Sequence, residues 1–357
     1  MSGDDPLAAI VSKPDGERAI ESLRREGVYD DSRSVREAGD EALALPVTEP
    51  PTETEVCDVV GQSDPEPRSP GLLDLLRDRG WDEDELAGAP RSWAVIGSVI
   101  LADFGGCPRE REGEVGGVLL ELHGGADTVL AREGITGEHR EPSVRTVAGA
   151  GDTETIHTEH GTRYAMDLAR VMFSPGNKAE RARMGEVVEE GERVLDMFAG
   201  IGYFTLPMAR AGARVTAIER NPIAFRYLLE NSVLNGVEDR IGAYRADCRD
   251  VEIGTGIDRV VMGHYDASEP RSEDGRTESE ASYEYLDHAL AALVDGGIVH
   301  VHEATPEAEL WDRPVSRLEA AAEHAGREVE LLDRRRVKSH SAGVVHVVLD
   351  ARIGRSG

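Results

Sequence analysis

The sequence predicts an α/β protein. Its main domain is a doubly wound, mostly parallel sheet, joined to smaller N-terminal and middle α+β domains. Three observations carry this. Across residues 171–357, short apolar stretches alternate with helical spacings, the pattern of repeated strand–helix units. One of those stretches ends in an Asp and turns through Ala199-Gly200-Ile201-Gly202 into a helix. Upstream, Ser63-Asp64-Pro65-Glu66-Pro67-Arg68-Ser69-Pro70 reads as a linker by composition. The expected domains are 1–62, 71–170 and 171–357.

The elements follow in order. Ala8–Val11 is a short apolar run, and Lys13-Pro14-Asp15-Gly16 is a turn. Glu17–Gly27 has helical spacing with a glycine stop, and Leu43–Val47 reads as a strand. In the middle domain, Leu72–Leu76 starts a helix that stops near Gly80. Ser92–Leu101 is strand-like, Gly105–Gly113 a polar loop, Val115–Leu122 an apolar stretch, and Val144–Ala148 and Thr155–Asp167 are β-prone. In the third domain the strands are Arg193–Phe198, Arg214–Glu219, Ala243–Ala246, Arg259–Met262, Gly297–His302 and Gly343–Ala351. Phe204–Ala211, Pro222–Asn235, Ser282–Leu293 and Pro314–Ala325 are the helices. Residues 266–282 carry six acids and two arginines and read as a solvated loop.

Composition narrows the function classes. The chain has 357 residues and a formal net charge of -29, with 69 acidic and 40 basic residues. Only Lys13, Lys178 and Lys338 are lysines. Such a charge argues against a nucleic-acid partner if taken alone. Acid spread along the whole chain, with almost no lysine, instead resembles proteins of salt-in halophiles, where self-repulsion is screened. Local arginines then say more about partners than the total. No apolar run is long enough to span a membrane, the start lacks a signal-peptide pattern, and three scattered cysteines suggest neither a disulfide framework nor a zinc site. The expectation is a cytoplasmic protein without bound metal.

The chemistry concentrates in the third domain. Val194–Phe204 carries the Asp196 strand end and the Gly200-x-Gly202 turn. Glycines let a ligand approach the backbone, and the helix behind offers free N–H groups. The dinucleotide fingerprint is not met, because Thr205 stands at its third glycine. The next strand ends at Glu219, 23 residues after Asp196, where an acid can accept both ribose hydroxyls. The strand after that ends at Asp247-Cys248, placed to accept from an adenine amino group. Glycine turn, Glu and Asp at three successive strand ends suggest an S-adenosylmethionine site of the class I, Rossmann-like type.

Asp196-Met197-Phe198-Ala199-Gly200-Ile201-Gly202 resembles the tRNA-modifying transferases that act on the purine 3′ of the anticodon. One branch methylates N1 of that guanine. The other, the archaeal wybutosine-pathway branch, transfers the 3-amino-3-carboxypropyl group of S-adenosylmethionine to carbon 7 of 4-demethylwyosine in tRNA(Phe). Gly202-Tyr203-Phe204-Thr205-Leu206-Pro207 and Val171–Asn177 with Glu180-Arg181 resemble the second branch. Gly263-His264-Tyr265 replaces the Asn-Leu-Pro or Asn-Pro-Pro type motif of the methylases, and Arg336–His346 is similar to the synthases' last hairpin, departing from it at His340 and Ala342. The resemblance implies 5′-methylthioadenosine as by-product, with N1-methylation as the alternative activity. It also implies donor contacts at Ser174, Arg181, Asp196, Phe198, Gly200, Gly202, Glu219, Arg220, Asn221, Asp247 and Cys248, and catalytic contacts at Tyr203, His264 and His302. The expected working unit is a monomer.

Other residues keep two readings. Arg181 can take an anion bidentately or form a helical ion pair. Arg334-Arg335-Arg336 with Lys338 is the densest basic cluster and is expected on tRNA phosphates. His157-Thr158-Glu159-His160 is structural or substrate-orienting, because a third metal ligand is not nearby. His300 and His302 end the fifth strand, either at the methionine arm and base or satisfied within the sheet.

Overall fold

The computed structural model describes residues 6–62, 64–136, 141–264 and 284–355. Tyr265 and the acidic loop 266–282 lie outside the described residues. The chain forms two compact units, residues 1–86 and 87–357.

In the first unit, strands β1 (Leu7–Ser12), β2 (Arg36–Glu37), β3 (Ala42–Val47) and β4 (Asp58–Gly61) make a sheet in the order β2-β3-β1-β4. Helix α1 (Gly16–Glu26) buries Ala19 and Leu23 against Ala9, Val11, Leu45 and Val47. It ends at Gly27, whose φ of 80° is the left-handed cap expected of glycine. Helix α2 (Leu72–Asp78) follows the Pro-rich stretch, and α3 (Glu83–Gly88) comes after it in sequence.

The second unit opens with β5 (Trp93–Ile96), β6 (Val99–Ala102), α4 (Arg109–Leu122), β7 (Thr128–Thr136) and β8 (Glu141–Gly149). The single stretch expected over Ser92–Leu101 is two antiparallel strands, broken where Gly97 takes a φ of 57°. The polar loop expected over Gly105–Gly113 gives way to α4 at Arg109. Thr155–Asp167 is likewise a hairpin, β9 (Glu154–Glu159) and β10 (Thr162–Asp167).

The central sheet has seven strands. They are β11 (Arg193–Asp196), β12 (Arg214–Ile218), β13 (Ile241–Tyr244), β14 (Ile257–Met262), β15 (Leu293–Pro306), β16 (Arg327–Ser341) and β17 (Val344–Arg355). Their order is β13-β12-β11-β14-β15-β17-β16. The first five run parallel; β17 pairs antiparallel with β15, and β16 antiparallel with β17. Helices α5 (Lys178–Glu186), α6 (Thr205–Arg210) and α7 (Pro222–Leu234) cover one face, and α8 (Glu284–Ala292) and α9 (Asp312–His324) the other. Strand alternation shows directly: Val194 belongs to the first core and Leu195 to the second. Strand order reverses at β11, between β12 and β14, the switch point where such sheets bind ligands.

Candidate functional site

A cavity opens at the carboxyl ends of β11, β12, β13 and β14. Gly200 lies on its wall with φ 57°. A Cβ there would fall 2.3 Å from the Tyr203 ring, so a side chain at this position would push Tyr203 off the wall. Asp196 is fully buried beneath the turn. Thr205 at the start of α6 donates its hydroxyl to Asp196 Oδ2 at 2.7 Å, so the residue that breaks the dinucleotide fingerprint ties helix to strand. Burial pushes the Asp196 carboxyl up to about 6. Asp196 and Gly202 are not on the cavity wall. The contact with a ligand expected of them becomes support of the turn that makes the wall.

Glu219 is on the wall and shapes it. Its Oε2 accepts the Gly200 N–H at 2.8 Å and its Oε1 the Asn221 N–H at 2.6 Å. These two backbone bonds fix the carboxylate at the cavity wall. Asn221 caps α7 through Oδ1, with Pro222 in the first helical turn. Arg220 and Asn221 line the cavity. At the third strand end, Arg249 grips both oxygens of Asp247 at 2.9 Å. That fork holds the Asp247 carboxyl at about 2, hence anionic at neutral pH. Burial pushes the neighbouring Cys248 thiol up to about 12, so Cys248 offers shape and backbone here, not a thiolate.

The opposite wall comes from the segment leading into α5. Ser174 and Arg181 line it. The Arg181 side chain is only 3% exposed and holds Glu159 bidentately at 2.6 and 2.9 Å, with a further bond to the Ser174 carbonyl at 2.9 Å. It also lies 4.6 Å from the Phe173 ring centre. Burial alone would raise the Glu159 carboxyl, but bonds from His157 and Arg181 outweigh it and keep it at about 2. His157 Nδ1 also accepts the Gly97 N–H at 3.2 Å, so that histidine bridges two hairpins. Lys338 reaches Ser174 Oγ from β16.

One side of the cavity is aromatic. Phe198 has His264 at 5.3 Å and Tyr285 at 5.2 Å between ring centres, and all three line the wall with Tyr203, Phe204 and Gly263. Arg249 covers the Tyr285 ring at 4.9 Å. Tyr285, Asn177 and Phe204 were missed by sequence reasoning. Tyr285 follows the acidic loop and looks like an ordinary apolar position of α8, so a sequence signal for it does not exist.

Two expected groups are placed elsewhere. His302 is fully buried and off the cavity wall, 3.0 Å from His346 Nε2 and packed against Phe204. Burial drives it down to about 3, so it is neutral and lies in the core rather than on a ligand. His300 is held between Asp350 at 2.6 Å and Arg259 at 2.7 Å. In the basic cluster, Arg335 points inward, to Glu180 at 2.6 and 2.7 Å and Asp350 at 2.8 Å. Its phosphate role conflicts with that internal use. Arg334 lies over the Trp311 ring and Arg336 pairs with Glu307 at 2.7 Å, both on the exposed edge strand β16. Among the described residues, groups of three or more His, Cys, Asp or Glu placed to hold a metal ion are absent.

Residues 155–332 match the family model of the TRM5/TYW2 methyltransferase domain, and residues 72–153 that of the TYW2 N-terminal domain. The chain is 37% identical over 268 residues to the tRNA(Phe) (4-demethylwyosine(37)-C(7)) aminocarboxypropyltransferase of Pyrococcus horikoshii, covering 75% of this chain and 91% of that protein. The protein of the same name from Methanocaldococcus jannaschii is 41% identical over 223 residues, covering 62% and 83%. Among solved structures, P. horikoshii TYW2 in complex with MeSAdo superposes with a TM-score of 0.65 at 34% identity, covering 80% of this chain and 98% of that one. Trm5b from Pyrococcus abyssi gives 0.69 at 30% identity, covering 98% and 99%.

Proposed function

We propose the following activity for this chain, which belongs to the TRM5/TYW2 family: it transfers the 3-amino-3-carboxypropyl group of S-adenosylmethionine to carbon 7 of 4-demethylwyosine in tRNA(Phe), releasing 5′-methylthioadenosine. The observation that carries the choice is the base side of the cavity. Gly263 and His264 stand there in place of an asparagine motif, beside Phe198 and Tyr203, in a chain similar along most of its length to aminocarboxypropyltransferases.

The donor set fits S-adenosylmethionine. In this reading Glu219 receives the ribose hydroxyls, and Asp247 with the backbone at Cys248 receives the adenine edge. Ser174 and Arg181 face the methionine arm. Phe198 and Arg220 flank the nucleoside, and Asn221, which caps α7, holds Glu219 in place through its backbone N–H. When bound, the donor supplies an electrophilic carbon on a sulfonium. Which of its carbons reacts depends on which one the walls hold in line with the base. Tyr203 and His264 are the residues at which this chain sets that alignment. Arg334, Arg336 and Lys338 are the remaining candidates for tRNA, since Arg335 is used inside the fold.

The described residues contain no helix long and apolar enough to cross a membrane, and the tRNA substrate of this reading supports a cytoplasmic enzyme. We read the working unit as a monomer and the charge of -29 as adaptation to high salt. The second reading, N1-methylation of guanine, is favoured by the 31% identity to P. abyssi Trm5b over 268 residues. Donor labelled in the carboxyl or in the methyl group separates the two. Carboxyl label on tRNA carrying 4-demethylwyosine supports the proposal, and methyl label on an unmodified transcript replaces it with the second reading.

A further inference from the structure

We propose that Arg249, which stands behind the cavity wall, is a positioning residue that aims the Asp247 carboxylate at the donor's purine and so makes the site select a 6-aminopurine over a 6-oxopurine. The inference rests on the donor reading above.

Arg249 stands two positions after Asp247 and holds its carboxylate with both backbone and side chain. The Arg249 N–H donates to Asp247 Oδ1 at 3.0 Å, Nε to the same oxygen at 2.9 Å, and Nη2 to Oδ2 at 2.9 Å. The first bond closes a local turn in which an Asp side chain takes the N–H two residues on. The other two are the parallel bonds of a guanidinium fork, which fixes a carboxylate in direction as well as in charge. The fork is itself anchored, because its Cζ lies 4.9 Å from the centre of the Tyr285 ring. Asp247 and Tyr285 line the cavity, and Arg249 does not. One guanidinium therefore acts on the cavity through the residues in front of it.

The consequence for recognition follows from donor and acceptor roles. An ionised carboxylate only accepts, whereas a protonated one can also donate. Hydrogen bonds from Arg249 outweigh burial, and the charges of Arg249 and Arg220 add to them, so the Asp247 carboxyl is held at about 2. The Cys248 thiol beside it, pushed up to about 12, brings no second charge. Asp247 is then an acceptor fixed in one direction. A purine 6-amino group gives it a hydrogen, and a 6-oxo group sets oxygen against oxygen. A carboxylate free to rotate would turn toward solvent and read neither group. The fork removes that freedom.

The test is calorimetry on the full chain with 5′-methylthioadenosine and 5′-methylthioinosine, which differ at purine position 6 and the adjoining N1. The unaltered chain is expected to prefer 5′-methylthioadenosine. Arg249→Met should narrow that preference roughly 10-fold, the order of one charge-assisted bond, mainly by weakening the adenine ligand. Arg249→Lys keeps the charge without the fork and should recover only part of it. In an Asp247→Asn background, Arg249→Met should leave the ratio of the two affinities unmoved. Equal loss of both ligands in Arg249→Met assigns Arg249 a structural role and overturns the proposal. An unchanged ratio shows that Asp247 is aimed without it and also overturns it. If the unaltered chain has no preference, the donor reading at that strand end falls together with this inference. Product identity is read separately. If the tRNA gains a methyl group while Arg249→Met still narrows the ratio, the reaction reading fails and this inference stands.

Discussion

Replacing Glu219 by Gln is expected to weaken nucleoside binding by about 10- to 150-fold. The magnitude follows from the geometry. Each Glu219 oxygen already takes one backbone N–H, from Asn221 at 2.6 Å and from Gly200 at 2.8 Å. Glutamine keeps one acceptor oxygen, sets an NH2 against one of those N–H groups, and removes the charge. Losing one charge-assisted bond costs about 1.5–3 kcal/mol, and each 1.4 kcal/mol or so is tenfold in affinity. The assay is calorimetry with S-adenosylmethionine and 5′-methylthioadenosine. Both carry the ribose, so both should lose affinity by the same factor. Unchanged affinity would remove Glu219 from the ribose. Loss confined to S-adenosylmethionine would place it on the methionine arm, against the reasoning here.

Four further outcomes follow from the same structure. Asp196 titrates near 6 in the fold against an ordinary 3.8, so its ionisation costs nothing below pH 3.8 and reaches its full cost, about 3 kcal/mol, once pH passes the folded value. Asp196→Asn should therefore gain stability relative to wild type between pH 4 and about 7.5 in denaturant titrations; a difference that does not change with pH refutes this. Arg335→Met removes the bidentate partner of the buried Glu180 carboxylate, while Asp350 keeps Arg183 and His300, and should cost about 3–5 kcal/mol in unfolding free energy, whereas Arg334→Ala should lower only tRNA affinity. His302→Asn should leave donor affinity and the pH–rate profile unmoved, because His302 does not reach the cavity; a moved limb would return it to the site. tRNA modification should persist in molar potassium chloride, where a basic enzyme would lose its RNA, and release of tRNA under those conditions counts against the high-salt reading.

The parts legible in the sequence are those where one residue type is needed at one place. Gly200, Glu219 and Asp247 mark three successive strand ends, and each lies on the cavity wall. The strand–helix alternation that predicts the doubly wound sheet is visible because β11, β12 and β14 are buried and apolar. β16 shows the opposite. It is an edge strand, mostly exposed and rich in arginine, so its pattern reads as a solvated charge run, and Arg335 within it cannot be told from Arg334 until Glu180 and Asp350 are seen beside it. The first turns of α4, Arg109–Gly113, are charged and glycine-containing, which hides the helix until Val115. His302 keeps two readings in the sequence for a related reason. A histidine at a strand end reads the same whether it faces a ligand or, as here, another buried histidine.

The central claim is the identity of the transferred group, and mass spectrometry of the modified nucleoside tests it most directly. tRNA(Phe) carrying 4-demethylwyosine is incubated with the enzyme and S-adenosylmethionine, digested, and weighed. The account predicts a nucleoside heavier by one 3-amino-3-carboxypropyl group, with 5′-methylthioadenosine released in equal amount. A nucleoside heavier by a single methyl group, with S-adenosylhomocysteine as the by-product, would contradict it.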